Sequence, residues 1–158
     1  MIMLKRVLVP TDFGAAADSV LQYGRTLTRA FGGELHVLHV IDNLSVYGVV
    51  LREEQQDLEC MARSRTEALM GEEDRRELNA RTTTATSNAP ARIIVEYART
   101  HAIDLIVMGT HGHGPIGHFF TGNVAERVVR AAPCPVLTVH NPEREFVHPD
   151  ARVTAARP

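Results

Sequence analysis

The run Leu105-Ile106-Val107-Met108 constrains this chain more than any other stretch. Four apolar side chains in succession, between Asp104 and Gly109, leave no polar face. Side chains of an extended segment alternate between its two faces, so such a run reads as a strand covered on both sides, as in a parallel sheet. The composition then turns abruptly to glycine, histidine, threonine and one proline, and a helical pattern resumes at Asn123-Val124-Ala125-Glu126. A buried strand, a glycine-rich loop and a helix N-terminus together make the arrangement of a phosphate site. Backbone N–H groups line the loop, and the helix end contributes about half a unit of positive charge.

The rest of the chain reads as the scaffold for this loop. Val7-Leu8-Val9 is a first strand, closed by Pro10-Thr11-Asp12, where proline removes a backbone donor. From residue 15 the apolar period lengthens: Val20, Gly24, Leu27 and Phe31 fall on one helical face, and Gly32-Gly33 stops the helix. Residues 35–41 form a second strand. A polar connection leads to a charged helical segment over residues 50–78, with Leu51, Leu58, Met61, Ala62 and Leu69 on one face and Gly71 as its weak point. Thr82-Thr83-Thr84-Ala85-Thr86 has β propensity and little burial, which suits a third strand at a sheet edge. Pro90 opens the next helix, with Ile94, Ala98 and His101 on one face. After the apolar run and its loop come a last helix, residues 123–132, and a last strand, residues 136–140.

This alternation implies right-handed crossovers and a three-layer α/β/α sandwich around a five-stranded parallel sheet. Strand orders of the 2-1-3-4-5 and 3-2-1-4-5 kind both fit the pattern. In either, ligands bind beyond the carboxyl ends of the strands, which brings Asp12, Val40-Ile41 and Gly109 to one crevice. Residues 141–158 are polar and read as a tail.

The totals exclude several classes. A length of 158 residues fits one domain, and a net charge of -2 gives no electrostatic footprint for nucleic acid. Lys5-Arg6 follow the apolar Met1 to Leu4 rather than preceding them, and no long apolar run comes after, so neither a signal peptide nor a membrane span is expected and the reading is cytoplasmic. Cys60 and Cys134 form no C-x-x-C and suit a reducing compartment as small buried residues, Cys134 packed between two prolines.

Three readings compete for the loop. A literal G-x-G-x-x-G at Gly112, Gly114 and Gly117 has the wrong context, because that fingerprint follows a first strand and opens a helix directly. A metal site from His111, His113 and His118 lacks a nearby carboxylate or cysteine to complete it. The third subset is Gly109, two residues, Gly112, nine residues, Gly122 and then Asn123. Here the chain resembles the universal stress protein family, whose ATP-binding members carry G-x2-G-x9-G-(Ser/Thr) at this place. The resemblance extends to Val7-Leu8-Val9-Pro10-Thr11-Asp12, to Leu38-His39-Val40-Ile41, and to the segments around residues 104–112 and 125–137, and it covers most of residues 3–140.

The resemblance implies a universal stress protein domain over residues 1–140, a flavodoxin/Rossmann-like 3-2-1-4-5 sheet, and bound ATP, AMP or ADP. Pro10, Thr11 and Asp12 would form the nucleotide-contacting end of the first strand, Asp12 holding ribose or a bound Mg2+. Val40 would bracket adenine through its backbone. Met108, Gly109, His111 and Gly112 would line ribose and phosphates, with His113 in the same loop, and Gly122, Asn123 and Val124 would close on the phosphates. It also implies a homodimer through Val136, Leu137, Thr138 and Val139, an apolar edge otherwise left unpaired.

One residue departs from the family pattern. Asn123 stands where Ser or Thr is usual; its amide still donates to a phosphate oxygen with a different reach. As an N-cap with Glu126 three residues on, Asn123 is also explained by about 1 kcal/mol of helix stability, and Asp12 likewise suits a cap of the first helix. Fast phosphoryl transfer is not expected. There is no G-x4-G-K-(S/T) segment, the only lysine, Lys5, lies at the start of the first strand, and Arg127 suits either the phosphates or a helix surface. The expectation is a stress-responsive, ATP-binding regulatory protein with at most slow hydrolysis, acting on an unnamed protein partner or on its own dimer. The alternative is a nucleotide-free dimeric interaction module of the same fold, which Asn123 keeps open. An electron-transfer flavoprotein or related α-hydrolase rests on fold analogy alone.

Overall fold

The computed structural model describes residues 1–14, 16–48, 50–110 and 123–140. The readings at His111, Gly112, His113 and Gly122, the side chain of Asn123 and the tail at residues 141–158 lie outside the described residues.

Strands β1 (Arg6–Thr11), β2 (Glu34–Ile41), β3 (Arg81–Thr86), β4 (Leu105–Gly109) and β5 (Val136–Val139) form one parallel sheet in the order β3-β2-β1-β4-β5. Of the two orders the pattern allowed, the structure has 3-2-1-4-5. Helices α1 (Ala17–Phe31), α2 (Arg52–Ala68), α3 (Glu72–Glu77), α4 (Pro90–Thr100) and α5 (Asn123–Ala131) cover the two faces.

The period of two along the strands divides the core. Val7, Val9, Leu35, Val37 and Val107 pack with Val20 and Leu21 of α1 and with Met70 and Leu78 around α3. Leu8, Leu38, Ile106 and Met108 pack on the other side with Ile94 and Ala98 of α4 and with Ala125 and Val128 of α5. Both faces of β1 and β4 are therefore dry, as the unbroken run at residues 105–108 requires. The chain steps from β1 to β3 one way and from β4 to β5 the other, so right-handed crossovers send the two helix sets to opposite faces.

Several expectations need correction. The first strand does not stop at Pro10; Pro10 pairs in register with Leu38 and Thr11 with His39. Pro10 is tolerated because β1 pairs with β4 only at Val7 and Leu8, before the proline is reached. The charged segment is two helices, broken at Leu69–Gly71 with Gly71 as the N-cap of α3. Its inward residues include Gln55 and Thr66, while Leu51 and Met61 are exposed. Polar side chains occupy that face because each is satisfied. The Gln55 amide accepts from Leu44 N–H and donates to Asp42 C=O, and Thr66 donates to Ala62 C=O. Phe31, the last residue of α1, is exposed, as is Cys60 on α2; His101 caps α4 from outside the helix. Cys134 is half-buried, and burial foremost raises its thiol pKa, the Asp104 charge adding to the effect, so it stays a protonated, packed residue. Among the described residues no helix is long and apolar enough to cross a membrane.

The contact of α1 with β1 is close. A Cβ added to Gly24 would stand 2.4 Å from Cγ2 of Val9, a side chain that is itself fully buried and has nowhere to turn. Gly24→Ala is expected to lower the unfolding free energy by about 1–2 kcal/mol in urea denaturation, although alanine is the better helix former, because overpacking outweighs propensity.

Candidate functional site

The site begins where two central strands part. β1 pairs with β4 at Val7↔Leu105 and Leu8↔Ile106, whereas β1 stays paired with β2 to Thr11↔His39 and β4 with β5 to Gly109↔Val139. Beyond Leu8 the strands have different neighbours, and the chain leaves β1 and β4 towards opposite faces. This is the switch point of an open parallel sheet.

Pro10, Thr11, Asp12 and Gly109 meet there, and with Ala16, Ala17 and Val20 they line a cleft of about 10 Å³, room for about one water. The turn after β1 is held by its own side chains. Thr11 Oγ1 accepts from Phe13 N–H at 3.2 Å, and Asp12 Oδ1 accepts from Gly14 N–H at 2.8 Å. The N-cap of α1 is Ala16, with no side-chain cap bond, so the capping role considered for Asp12 is corrected: it fixes the turn at Gly14, not the helix.

That turn places Phe13 in the left-handed region, φ 58°, which is unusual for an aromatic residue. Its ring lies 4.5 Å from that of His39, and the Arg65 guanidinium sits 4.2 Å above it. His39 Nδ1 is 2.8 Å from Thr11 C=O, which assigns the proton to Nδ1 and leaves Nε2 as the acceptor. Burial, the largest influence, holds the His39 imidazole below its ordinary pKa despite the opposing pull of the Thr11 carbonyl and the Asp12 charge. At neutral pH this ring is uncharged. The sequence reading missed Phe13, His39 and Arg65 as parts of the site. Phe13 and His39 adjoin residues it named, but Arg65 comes from α2, and nothing local announces its partner.

Val40 and Met108 lie among the core side chains, at 6% and 0% exposure, so only their backbone groups are available to a ligand. Val40 and Ile41 extend past the last β1 partner of β2, over the mouth of the crevice. A second and far larger space, about 860 Å³, lies between α4 and α5, reaching from Asp42, Asn88 and Val124 to Thr100 and Ala131. Val124 and Arg127 belong to its wall rather than to the narrow cleft, together with Arg92 and Arg99. Arg92 pairs with Glu96 at 3.2 Å, while Arg99 and Arg127 have no ion pair among the described residues.

No group of three histidine, cysteine or acidic residues suited to a metal ion occurs among the described residues. Asp12 is half-buried with one oxygen engaged by Gly14, which fits a Mg2+ ion held mainly by phosphate and water with one protein carboxylate.

Comparison with known proteins places this arrangement in a family. The model of the universal stress protein family matches residues 3–140. A universal stress protein of Thermus aquaticus is 33% identical over 144 residues, covering 87% of this chain and 99% of that protein. The solved universal stress protein UspA of Lactobacillus plantarum superposes with a TM-score of 0.64 at 26% identity, over 87% of this chain and 99% of that one. A solved universal stress protein in complex with cAMP, 22% identical, shares the fold with a TM-score of 0.55 over 88% of this chain and 98% of its own.

The turn at Asp12 separates a structural role from a charge role. Asp12→Asn keeps an oxygen for Gly14 N–H and is expected to change stability by less than about 0.5 kcal/mol, whereas Asp12→Ala is expected to cost about 1 kcal/mol in urea denaturation.

Proposed function

The chain belongs to the universal stress protein family, and from that premise we propose that it binds an adenine nucleotide, ATP or its products ADP and AMP, across the carboxyl ends of β1 and β4. The observation that carries this reading is the parting of β1 from β4 with Pro10, Thr11, Asp12 and Gly109 gathered on the gap. Adenine meets the backbone of Val40 beyond the end of β1, and Asp12 takes the ribose or a phosphate-bound Mg2+. The phosphates run along the segment from Met108 and Gly109 through His111, Gly112 and His113 to Gly122, Asn123 and Val124, where the N-terminus of α5 favours negative charge. Arg127, on the wall beside Val124, adds a cation near that end. The family member solved with cAMP supports an adenine nucleotide at the level of the fold.

The role is regulatory, with at most slow hydrolysis. The only lysine, Lys5, precedes β1 at the opposite end of the sheet from Asp12. The bound state acts in the cytoplasm on a protein partner or on a homodimer formed through β5. That strand pairs with β4 alone among the described residues and exposes Leu137, and Val129 of α5 is exposed as well.

Calorimetry on protein stripped of endogenous nucleotide, with and without Mg2+, tests the reading. ATP is expected to bind with a dissociation constant on the order of micromolar, and Gly122→Val to abolish binding. Asp12→Asn, which keeps the turn, is expected to weaken it at least about tenfold, or roughly 1.4 kcal/mol, chiefly when Mg2+ is present. A wild-type protein that binds no adenine nucleotide overturns the proposal and leaves the dimeric interaction module.

A further inference from the structure

At the other end of the sheet, a second histidine of β2 is buried with half its hydrogen-bonding capacity unused. His36 is 3% exposed. Its Nδ1 is 2.9 Å from the Tyr97 hydroxyl on α4, and Nε2 has no hydrogen-bond partner among the described residues. The nearest acceptor to Nε2 is Glu34 Oε2 at 3.6 Å, beyond hydrogen-bond distance. That same oxygen lies 3.9 Å from Arg6 Nε of β1 and 3.9 Å from Arg81 Nη2 of β3. From α4, Tyr97 packs edge-on against His36 with centroids 5.8 Å apart, and His101, its ring stacked on Tyr97 at 3.8 Å, has its centroid 5.9 Å from that of His36. His101 Nδ1 is 3.0 Å from the Tyr97 carbonyl, and Thr83 Oγ1 of β3 lies 3.4 Å from the Tyr97 hydroxyl. One carboxylate with two guanidiniums beside it, a phenol and a second imidazole thus surround His36 from β1, β2, β3 and α4.

We propose that His36, Tyr97 and His101 form an acid-sensitive latch, which fastens the carboxyl end of α4 to β2 while His36 is neutral and lets go when it is protonated. A neutral His36 engages Tyr97 through Nδ1 and leaves only an uncharged ring nitrogen without a partner among the described residues. A protonated His36 has two N–H donors, and its second has only Glu34 to reach, at 3.6 Å and beside two arginines. Burial therefore dominates and depresses the imidazole's pKa; the nearby Glu34 carboxylate opposes it, while His101 and Arg81 act in the same direction as burial.

The sign follows from this. In an opened state the imidazole titrates near its ordinary 6.5, and in the latched state below it. The latch is at full strength above pH 6.5 and weakens as pH falls from there towards the depressed value. The opening equilibrium rises by at most about tenfold per pH unit, the limit for one proton taken up. Helix α4 carries the change across the molecule. Its carboxyl end rests on this cluster, while Pro90 at its start and the preceding Asn88 wall the large cavity, and Asn88 is tied to Asn43 after β2 by two bonds of 2.8 and 3.2 Å. Release at His36 therefore slackens one wall of that cavity.

The imidazole titration of His36, followed by NMR in the wild-type protein, is expected to have its midpoint below 6.5; a midpoint at or above 6.5 overturns the proposal whether or not any variant folds. Amide hydrogen exchange, corrected for its intrinsic pH dependence, is expected to show residues 93–101 opening up to about tenfold more per pH unit between pH 6.5 and 5.5, with α1 unchanged. His36→Gln, which keeps a polar side chain but does not titrate, is expected to abolish that extra opening. Loss of protection in α4 and α1 together, or persistence of the α4 response in His36→Gln, rejects the latch. His39 also has a depressed pKa, but it faces Phe13 and Arg65 on the opposite side of the sheet, so comparing α4 with α1 and wild type with variant isolates His36.

Discussion

Everything at the carboxyl end of this molecule depends on β1 and β4 separating after Leu8 and Ile106. Below that point the two strands are buried on both faces, with Leu8, Val7, Ile106 and Val107 all at 0% exposure. Above it the strands continue with other partners, and their loops must leave towards opposite helix layers. The gap is a consequence of topology: a sheet that grows outwards in both directions from its middle has one pair of strands whose connections diverge. Proline at position 10 and the self-bonded turn at Thr11 and Asp12 then finish the rim without demanding pairing from β4.

What could be read from the sequence was whatever a short window contains. Dry strands of the Leu105–Met108 kind, the Gly32 stop and Pro90 at a helix start each express a local rule, and each is found in the structure. Strand order was not local: the alternation allowed two orders, and only the family resemblance pointed to 3-2-1-4-5, the order the pairing has. Helix α2 defeated the pattern for a different reason. Its buried face carries Gln55 and Thr66, whose polar atoms find partners only in the folded chain, while the apolar Met61 points outwards. An apolar periodicity sees hydrophobicity and not satisfaction, so a helix anchored by hydrogen bonds is misread by one face.

The same limit explains the site. Asp12 and Gly109 were legible because strand ends in such a sheet converge, whatever the side chains do. The stack of Arg65 on Phe13 on His39 was not, because it joins three elements through ring geometry that no spacing encodes. Two histidines three residues apart in an otherwise apolar strand fall on opposite faces and form no polar stripe, and one of them is nearly inaccessible while the other is half-buried.

Those two histidines, three residues apart and so on opposite faces, show how context assigns different behaviour to one side chain. Both are pushed towards the neutral form by burial. His39 is bonded through Nδ1 to a backbone carbonyl, an acceptor fixed in the main chain, and this bond does not depend on the state of Nε2. His36 leans on a phenol that either donates or accepts, and its other nitrogen has no hydrogen bond among the described residues. Either ring can take up a second proton, but the His39 bond to the main chain is kept in both forms, whereas a proton on His36 Nε2 is buried without a hydrogen-bond acceptor among the described residues. Placing the satisfied histidine beside the crevice and the unsatisfied one at the far end of α4 separates the part that must hold its shape from the part that is free to respond.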